Sequence, residues 1–224
     1  MPTVLITGAS SGIGAAIART LAPGQDLILV ARRADRLHAL AAELGSRHRT
    51  IAADLADPAG LGAVVAGVTE LDVLVNNAGV FALANGDAIT AAHLDNLWRI
   101  NVNAPMLLTA ALLPRLRTGG GVINVSSTVV ENAFAGCAAY TASKCAIEGW
   151  SRVLREELRP RRIRVGVIAP GATDTEVWPA EFAGAERSRM VRATDVAEAV
   201  RLMVEAPAAT SFDRIAVTPS AGAI

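Results

Sequence analysis

Cysteine is nearly absent from this sequence, with Cys137 and Cys145 the only two among 224 residues. Two thiols cannot build a disulfide framework, nothing has the Cys/His spacing of a zinc site, and no metal is expected. No apolar stretch reaches the length of a membrane span. An apolar strand pattern begins at Thr3 with no basic region or cleavage-like site before it, so no signal peptide is expected. An excess of charge of one sign is missing too, with 21 Lys and Arg against 21 Asp and Glu. That balance gives no electrostatic reason to expect nucleic acid or an anionic membrane as a partner. The one dense basic run, Arg161, Arg162 and Arg164, follows a helical pattern and precedes a strand, and reads as a solvated helix end and turn. Internal repeats, low-complexity tracts and linkers are also lacking, so residues 1–224 are expected to form one domain. The expectation is a soluble, cytoplasmic protein.

What is present is an alternation of short apolar runs with amphipathic helices. Strands are predicted at Thr3–Thr7, Leu27–Val30, Thr50–Ala53, Val73–Val75, Val122–Val125, Val165–Ile168 and Ile215–Val217. Their nearly continuous apolar character suits strands buried on both faces. Leu37, Leu40, Ala41 and Leu44 share one helical face and Gly45 follows as a stop. Leu61, Val64, Val65 and Val68 repeat the pattern after Asp57-Pro58, a cap and a first-turn proline. Thr194 is expected to cap a helix that buries Val196, Val200, Met203 and Val204. The fold class is therefore α/β: a doubly wound, mostly parallel sheet of seven strands with helices on both faces.

The first strand runs into Thr7-Gly8-Ala9-Ser10-Ser11-Gly12-Ile13-Gly14, then a helix facing inward through Ile13, Ile17 and Leu21. Such glycines can make a tight turn, or let the backbone approach a pyrophosphate seated on the unpaired N–H groups of a helix N-terminus. The position between first strand and helix favours the second reading. The spacing G-x-x-x-G-x-G resembles that of the short-chain dehydrogenase/reductase family, a Rossmann-like fold. Further matches run from Thr3 to about Pro219. Asn76-Asn77-Ala78-Gly79 resembles the family's NNAG element beside the cofactor, and Asp54 the acid that binds the adenine amino group. The resemblance implies a cofactor site drawn from Gly8, Ser10, Ser11, Gly12, Ile13, Gly14, Asp54, Leu55, Asn77, Ala78 and Gly79.

An acid ending the second strand would bind the ribose hydroxyls of NAD and repel a 2′-phosphate. That position is Ala31, followed by Arg32 and Arg33, whose guanidinium forks suit phosphate oxygens. NADP(H) is expected over NAD, with Arg32 the residue the resemblance sets against the phosphate.

Tyr140 and Lys144 lie one helical turn apart on one face, and Tyr140 is the only tyrosine in the chain. An ammonium beside a phenol lowers its pKa toward the range a general acid/base needs. Ser126 and Ser127 end the fifth strand at the carboxyl edge, where such sheets bind ligands. The resemblance implies Ser127 as the serine that steadies the substrate oxygen and leaves Ser126 a polar strand end. Asn101 lies in a helix beginning near Thr90, four residues before Pro105. The missing N–H and the ring of that proline predict a kink that frees the Asn101 carbonyl. In the family the matching carbonyl holds a water linked to the lysine. Pro170, Gly171, Thr173 and Thr175 match a PG motif that contacts the nicotinamide, implying transfer of the pro-S hydride.

The expectation is an oxidoreductase interconverting a carbonyl and a secondary alcohol, acting on a small molecule. The resemblance also implies a homo-oligomer, dimer or tetramer, pairing the helices of Asn101 and Tyr140. The segment from Glu176 to Arg192, with Val177, Trp178, Pro179, Phe182 and Met190, is expected to wall the substrate. The C-terminal pattern is similar to that of members acting on short hydroxy acids and hydroxy amino acids. Two rivals remain: an NADPH-sensing regulatory protein without chemistry, and a nucleotide-sugar epimerase or dehydratase, for whose substrate domain the chain has little room.

Overall fold

A computed structural model of the chain describes residues 1–178 and 187–222. In chain order the main elements are β1 (Thr3–Thr7), α1 (Gly12–Leu21), β2 (Asp26–Ala31), α2 (Ala34–Leu44), β3 (Arg49–Ala52), α3 (Pro58–Ala66) and β4 (Leu71–Asn76). They continue with α4 (Ala91–Trp98), α5 (Ala104–Leu112), β5 (Leu116–Val125), α6 (Ala138–Leu158) and β6 (Arg164–Pro170). A small pair, β7 (Thr173–Asp174) and β8 (Val191–Arg192), precedes α7 (Ala193–Val204) and β9 (Arg214–Val217).

Seven strands form one sheet in the order β3-β2-β1-β4-β5-β6-β9. Every pairing in it is parallel. Strand order reverses between β1 and β4, which opens a crevice at their carboxyl ends. The register sets Thr7 beside Val30 and Ile6 beside Val75, so the turns after β1 and β4 emerge side by side.

Both faces of the sheet are apolar. Val4 and Ile6 of β1, with Leu27 and Leu29 of β2, pack with Ile17 and Leu21 of α1, Leu37 of α2 and Val200 of α7. The alternate residues Leu5, Ile28 and Val30 pack with Val64 of α3, Leu108 of α5 and Leu154 of α6. Period-two alternation thus feeds two cores from the same strands. The helix signals hold locally: Asp57 accepts from the Ala59 N–H at 3.0 Å ahead of Pro58. Thr90 accepts from the His93 N–H at 3.2 Å, and Gly45 ends α2 at φ +112°.

Three expectations change. Thr194 is inside α7, not at its cap; Arg192 takes that place because β8 delivers the chain directly into the helix, and its guanidinium pairs with Asp195 at 2.6 Å. The basic run is only partly solvated. Arg161 donates to the carbonyls of Leu113 and Leu116, and Arg164 to that of Ala206, carbonyls at segment ends that need a donor. The break at Asn101 takes the form of a π-helical turn over Arg99–Asn103, wedged between α4 and α5. There the Ala104 N–H reaches the Arg99 carbonyl, five residues back. Pro105 has no N–H for the carbonyl of Asn101 or of Ile100, so the α-helical ladder cannot pass unbroken.

Candidate active site

A groove of about 1300 Å³ runs along the carboxyl edge of the sheet. Every site residue named from the sequence lines it, except Asn101. Of the expected substrate wall, Val177, Trp178 and Met190 line it, while Pro179 and Phe182 lie outside the described residues.

The glycine turn is shaped by its neighbours. A Cβ on Gly14 would meet the Gly8 carbonyl at 2.3 Å and the Asn77 amide at 2.5 Å, so no side chain fits there. Gly12 has φ +52°, a backbone shape that favours glycine, and it faces the side chain of Thr175. Thr7 Oγ1 accepts from the N–H groups of Asn77 and Ala78, both at 3.0 Å, and Asn77 donates to the Thr7 carbonyl at 2.8 Å. The ends of β1 and β4 are thereby locked together, with the first N–H groups of α1 directed at the groove. This cradle and its size fit a dinucleotide.

At the arginine end the two candidates differ. Arg32 is largely exposed and lies 3.9 Å from Asp54. Arg33 is anchored, donating to Ser10 Oγ at 3.0 Å and also to Ser11 Oγ. Glu176, reaching over from the loop after β7, takes Arg36 at 2.6 Å and stands 3.5 Å from Arg33. The Arg36 guanidinium is the main reason its carboxyl is held below the usual carboxylate range. Nothing in the sequence pairs Glu176 with residues some 140 positions away; only the fold does.

The other end is buried. Lys144, the only lysine in the chain, is 5% exposed. Its ammonium donates to the Val125 carbonyl at 3.0 Å and lies 5.6 Å from the centroid of the Tyr140 ring. Burial pushes this group down to about 8. Burial also pushes the Tyr140 phenol up to about 12, opposed by its hydrogen bond with Ser127 and reinforced by Cys137. The sequence led us to expect a lowered phenol; in the protein alone, desolvation of the phenolate outweighs the hydrogen bond with Ser127. Ser127 caps a short turn, accepting from the Val129 N–H at 3.3 Å, and so presents its hydroxyl to Tyr140. The Ser126 hydroxyl is buried without a protein partner.

Asn101 sits one layer deeper, 2% exposed. Its side chain holds both backbone groups of Val80, accepting from the N–H at 2.8 Å and donating to the carbonyl at 2.9 Å. It also donates to Ser143 Oγ at 3.2 Å, which in turn donates to the Tyr140 carbonyl at 2.7 Å. The π turn, the loop after β4 and α6 are thus joined. A Cβ on Gly79 would come within 3.3 Å of Asn101 Oδ1 and 3.6 Å of Lys144 Nζ, so the small residue leaves that corner open.

Sequence reasoning missed Phe81. Its ring stands edge-on to Tyr140 at 5.0 Å and lies 5.5 Å from Trp178. Trp178 is in turn tethered by Nε1 to the Thr173 carbonyl at 2.8 Å. Phe81 lies two residues past the NNAG element, the only signal that could have flagged it.

Comparison with known proteins agrees with this geometry. The family model for short chain dehydrogenase matches residues 2–186. A serine 3-dehydrogenase of Agrobacterium fabrum is 40% identical over 182 residues, covering 78% of this chain and 73% of its own. A D-threitol dehydrogenase of Mycolicibacterium smegmatis is 39% identical over 183 residues, covering 77% and 70%. A solved short chain dehydrogenase of Burkholderia cenocepacia, in complex with NADP, superimposes with a TM-score of 0.90 at 34% identity, covering 98% of this chain and 97% of that one. An oxidoreductase with a Rossmann-like sheet, this chain belongs to the short-chain dehydrogenase family.

Proposed function

We propose that the chain interconverts a carbonyl and a secondary alcohol with NADP(H), Tyr140 serving as general acid and base. The observation that carries this reading is the convergence of Tyr140, Ser127 and Lys144 in the groove onto which the glycine turn opens. A role limited to sensing NADPH gives no reason to bury an ammonium beneath a phenol.

When bound, the nicotinamide gives or accepts the hydride. Ser127 hydrogen-bonds the substrate oxygen and steadies it against Tyr140. With its phenol pushed up to about 12, Tyr140 is protonated at neutral pH and ready to donate as the carbonyl is reduced. Lys144, at about 8, is the nearest reservoir for the returning proton. Asn101 holds the Val80 backbone and, through Ser143, the first turn of α6, which positions Tyr140. Alcohol oxidation uses the same groups in reverse and requires the phenolate.

Two features support NADP(H) over NAD(H): no acid ends β2, and two arginines follow Ala31. The complex of the Burkholderia relative with NADP points the same way. We assign the 2′-phosphate jointly to Arg32, exposed beside Asp54, and Arg33, already seated on Ser10 and Ser11. The decisive experiment is NADPH oxidation against a carbonyl panel with the parent protein and Tyr140→Phe. Turnover of a carbonyl by the parent and near-complete loss in the variant, with cofactor fluorescence binding retained, is expected. A variant as active as the parent would remove Tyr140 from its role.

A further inference from the structure

We infer that the site takes carbonyl compounds with an apolar, aryl-sized body, in preference to the small hydroxylated or zwitterionic substrates that the C-terminal sequence pattern suggests. This rests on the reading that Tyr140 is the proton donor, and it names what lies beside it. Phe81 stands edge-on to Tyr140 at 5.0 Å and Trp178 lies against Phe81 at 5.5 Å, so the space next to the phenol has an aromatic wall. The wall is held in place: the Trp178 indole N–H is fixed to the Thr173 carbonyl. Further out, Leu83 and Phe134 also line the groove, and both remain exposed, at 55% and 36%. Their loops are tied together by the Ala84 N–H on the Gly136 carbonyl at 2.9 Å, so this apolar rim is built into the fold. Apolar side chains held open around a cavity are covered when an apolar body fills it.

Charge argues in the same direction. Among the described residues six charged side chains line the groove: Arg32, Arg33, Asp54, Lys144, Glu176 and Arg189. Arg33 and Glu176 are engaged at the phosphate end, Arg32 and Asp54 face each other there, and Lys144 is committed to the Val125 carbonyl. Arg189 alone remains, and it is exposed. Among the described residues an amino acid's ammonium would find no free carboxylate beside Tyr140, and a polyol would strip its hydroxyls of water against aromatic faces. An aryl body loses nothing there and gains apolar contact.

The test compares NADPH-dependent reduction of benzylacetone with that of hydroxyacetone and pyruvate, and NADP⁺-dependent oxidation of L-serine and D-threitol. Benzylacetone should exceed hydroxyacetone in kcat/KM on the order of 100-fold. Phe81→Ala should cut that ratio about tenfold, and Phe134→Ala, at the exposed rim, about threefold. Hydroxyacetone, L-serine or D-threitol turned over as well as benzylacetone would overturn this inference and leave the proposed reaction standing. Preference for pyruvate would overturn it too, in favour of anion capture by Arg189. If nothing is turned over, saturation-transfer NMR of benzylacetone on the NADP⁺-loaded protein separates the two ideas. Ring contact without turnover of any compound would keep the aryl site and count against the reaction; no contact would overturn the aryl site and leave the reaction to the carbonyl panel.

Discussion

The two ends of the groove face opposite electrostatic conditions. At one end Arg32 and Glu176 are mostly in water and Arg33 and Arg36 more than two-fifths exposed, where ion pairs are screened and each contributes little. At the other, Lys144 is 5% exposed and has a backbone carbonyl for its partner, so desolvation moves pKa values by units. The exposed end can tune affinity gradually, while the buried end works or fails as a unit. Removing groups at each end should reproduce that difference.

The largest effect is expected at the phenol. Tyr140→Phe should lower kcat about 1000-fold while NADPH affinity changes less than about threefold, read by stopped turnover and cofactor fluorescence. Comparable losses in both would mean that the two ends are not separable. Next is Lys144→Met, expected to lower kcat about 100-fold and yet to stabilise the fold. The ammonium falls from 10.5 to about 8 on folding, equivalent to about 3 kcal/mol of burial penalty below pH 8. The unfolded chain binds the extra proton between the two values, so parent stability should rise with pH from about 8 to 10.5. The gain of the methionine variant should be greatest below pH 8 and vanish by about 10.5; urea unfolding at several pH values measures it. A pH-independent difference would place the penalty elsewhere.

Carbonyl reduction should stay level to about pH 8 and decline above it as Lys144 loses its proton, whereas oxidation should gain. At the exposed end, Arg33→Ala should weaken NADPH about tenfold in low salt and NADH hardly at all, the gap shrinking as salt is added. Arg32→Ala should show the same selectivity; equal losses for both cofactors would remove the phosphate assignment. The smallest expected effect is from Glu176→Gln, a tightening of NADPH by about threefold or less. A tenfold change there would show that the exposed end is not as screened as its accessibility implies.

Much of this was legible beforehand, and the failures are instructive. The strands could be located because a strand buried on both faces must be apolar nearly throughout, as β1 and β2 are. The glycine turn was readable because backbone shape and close approach restrict Gly12 and Gly14 to glycine. Pro105 announced a break, but not that it would become a π turn with Asn101 clasping Val80. Thr194 was misplaced because β8 forms only by pairing with β7, a tertiary event that fixes where α7 begins. The raised Tyr140 phenol of the protein alone was not legible for a related reason: a phenol one turn from a lysine says nothing of how deeply both are buried.

The sequence by itself determined the order of elements, the glycine-lined turn, the absence of an acid at the end of β2 and the spacing of Tyr140 and Lys144, because each depends on residue identity, local covalent geometry or periodicity. Tertiary structure alone decided that Arg33 rests on Ser10 and Ser11, that Glu176 crosses to Arg36, that Phe81 stands beside Tyr140, and how far water is kept from Lys144. Those are distances between residues far apart in the chain, and desolvation is a property of everything packed around a group.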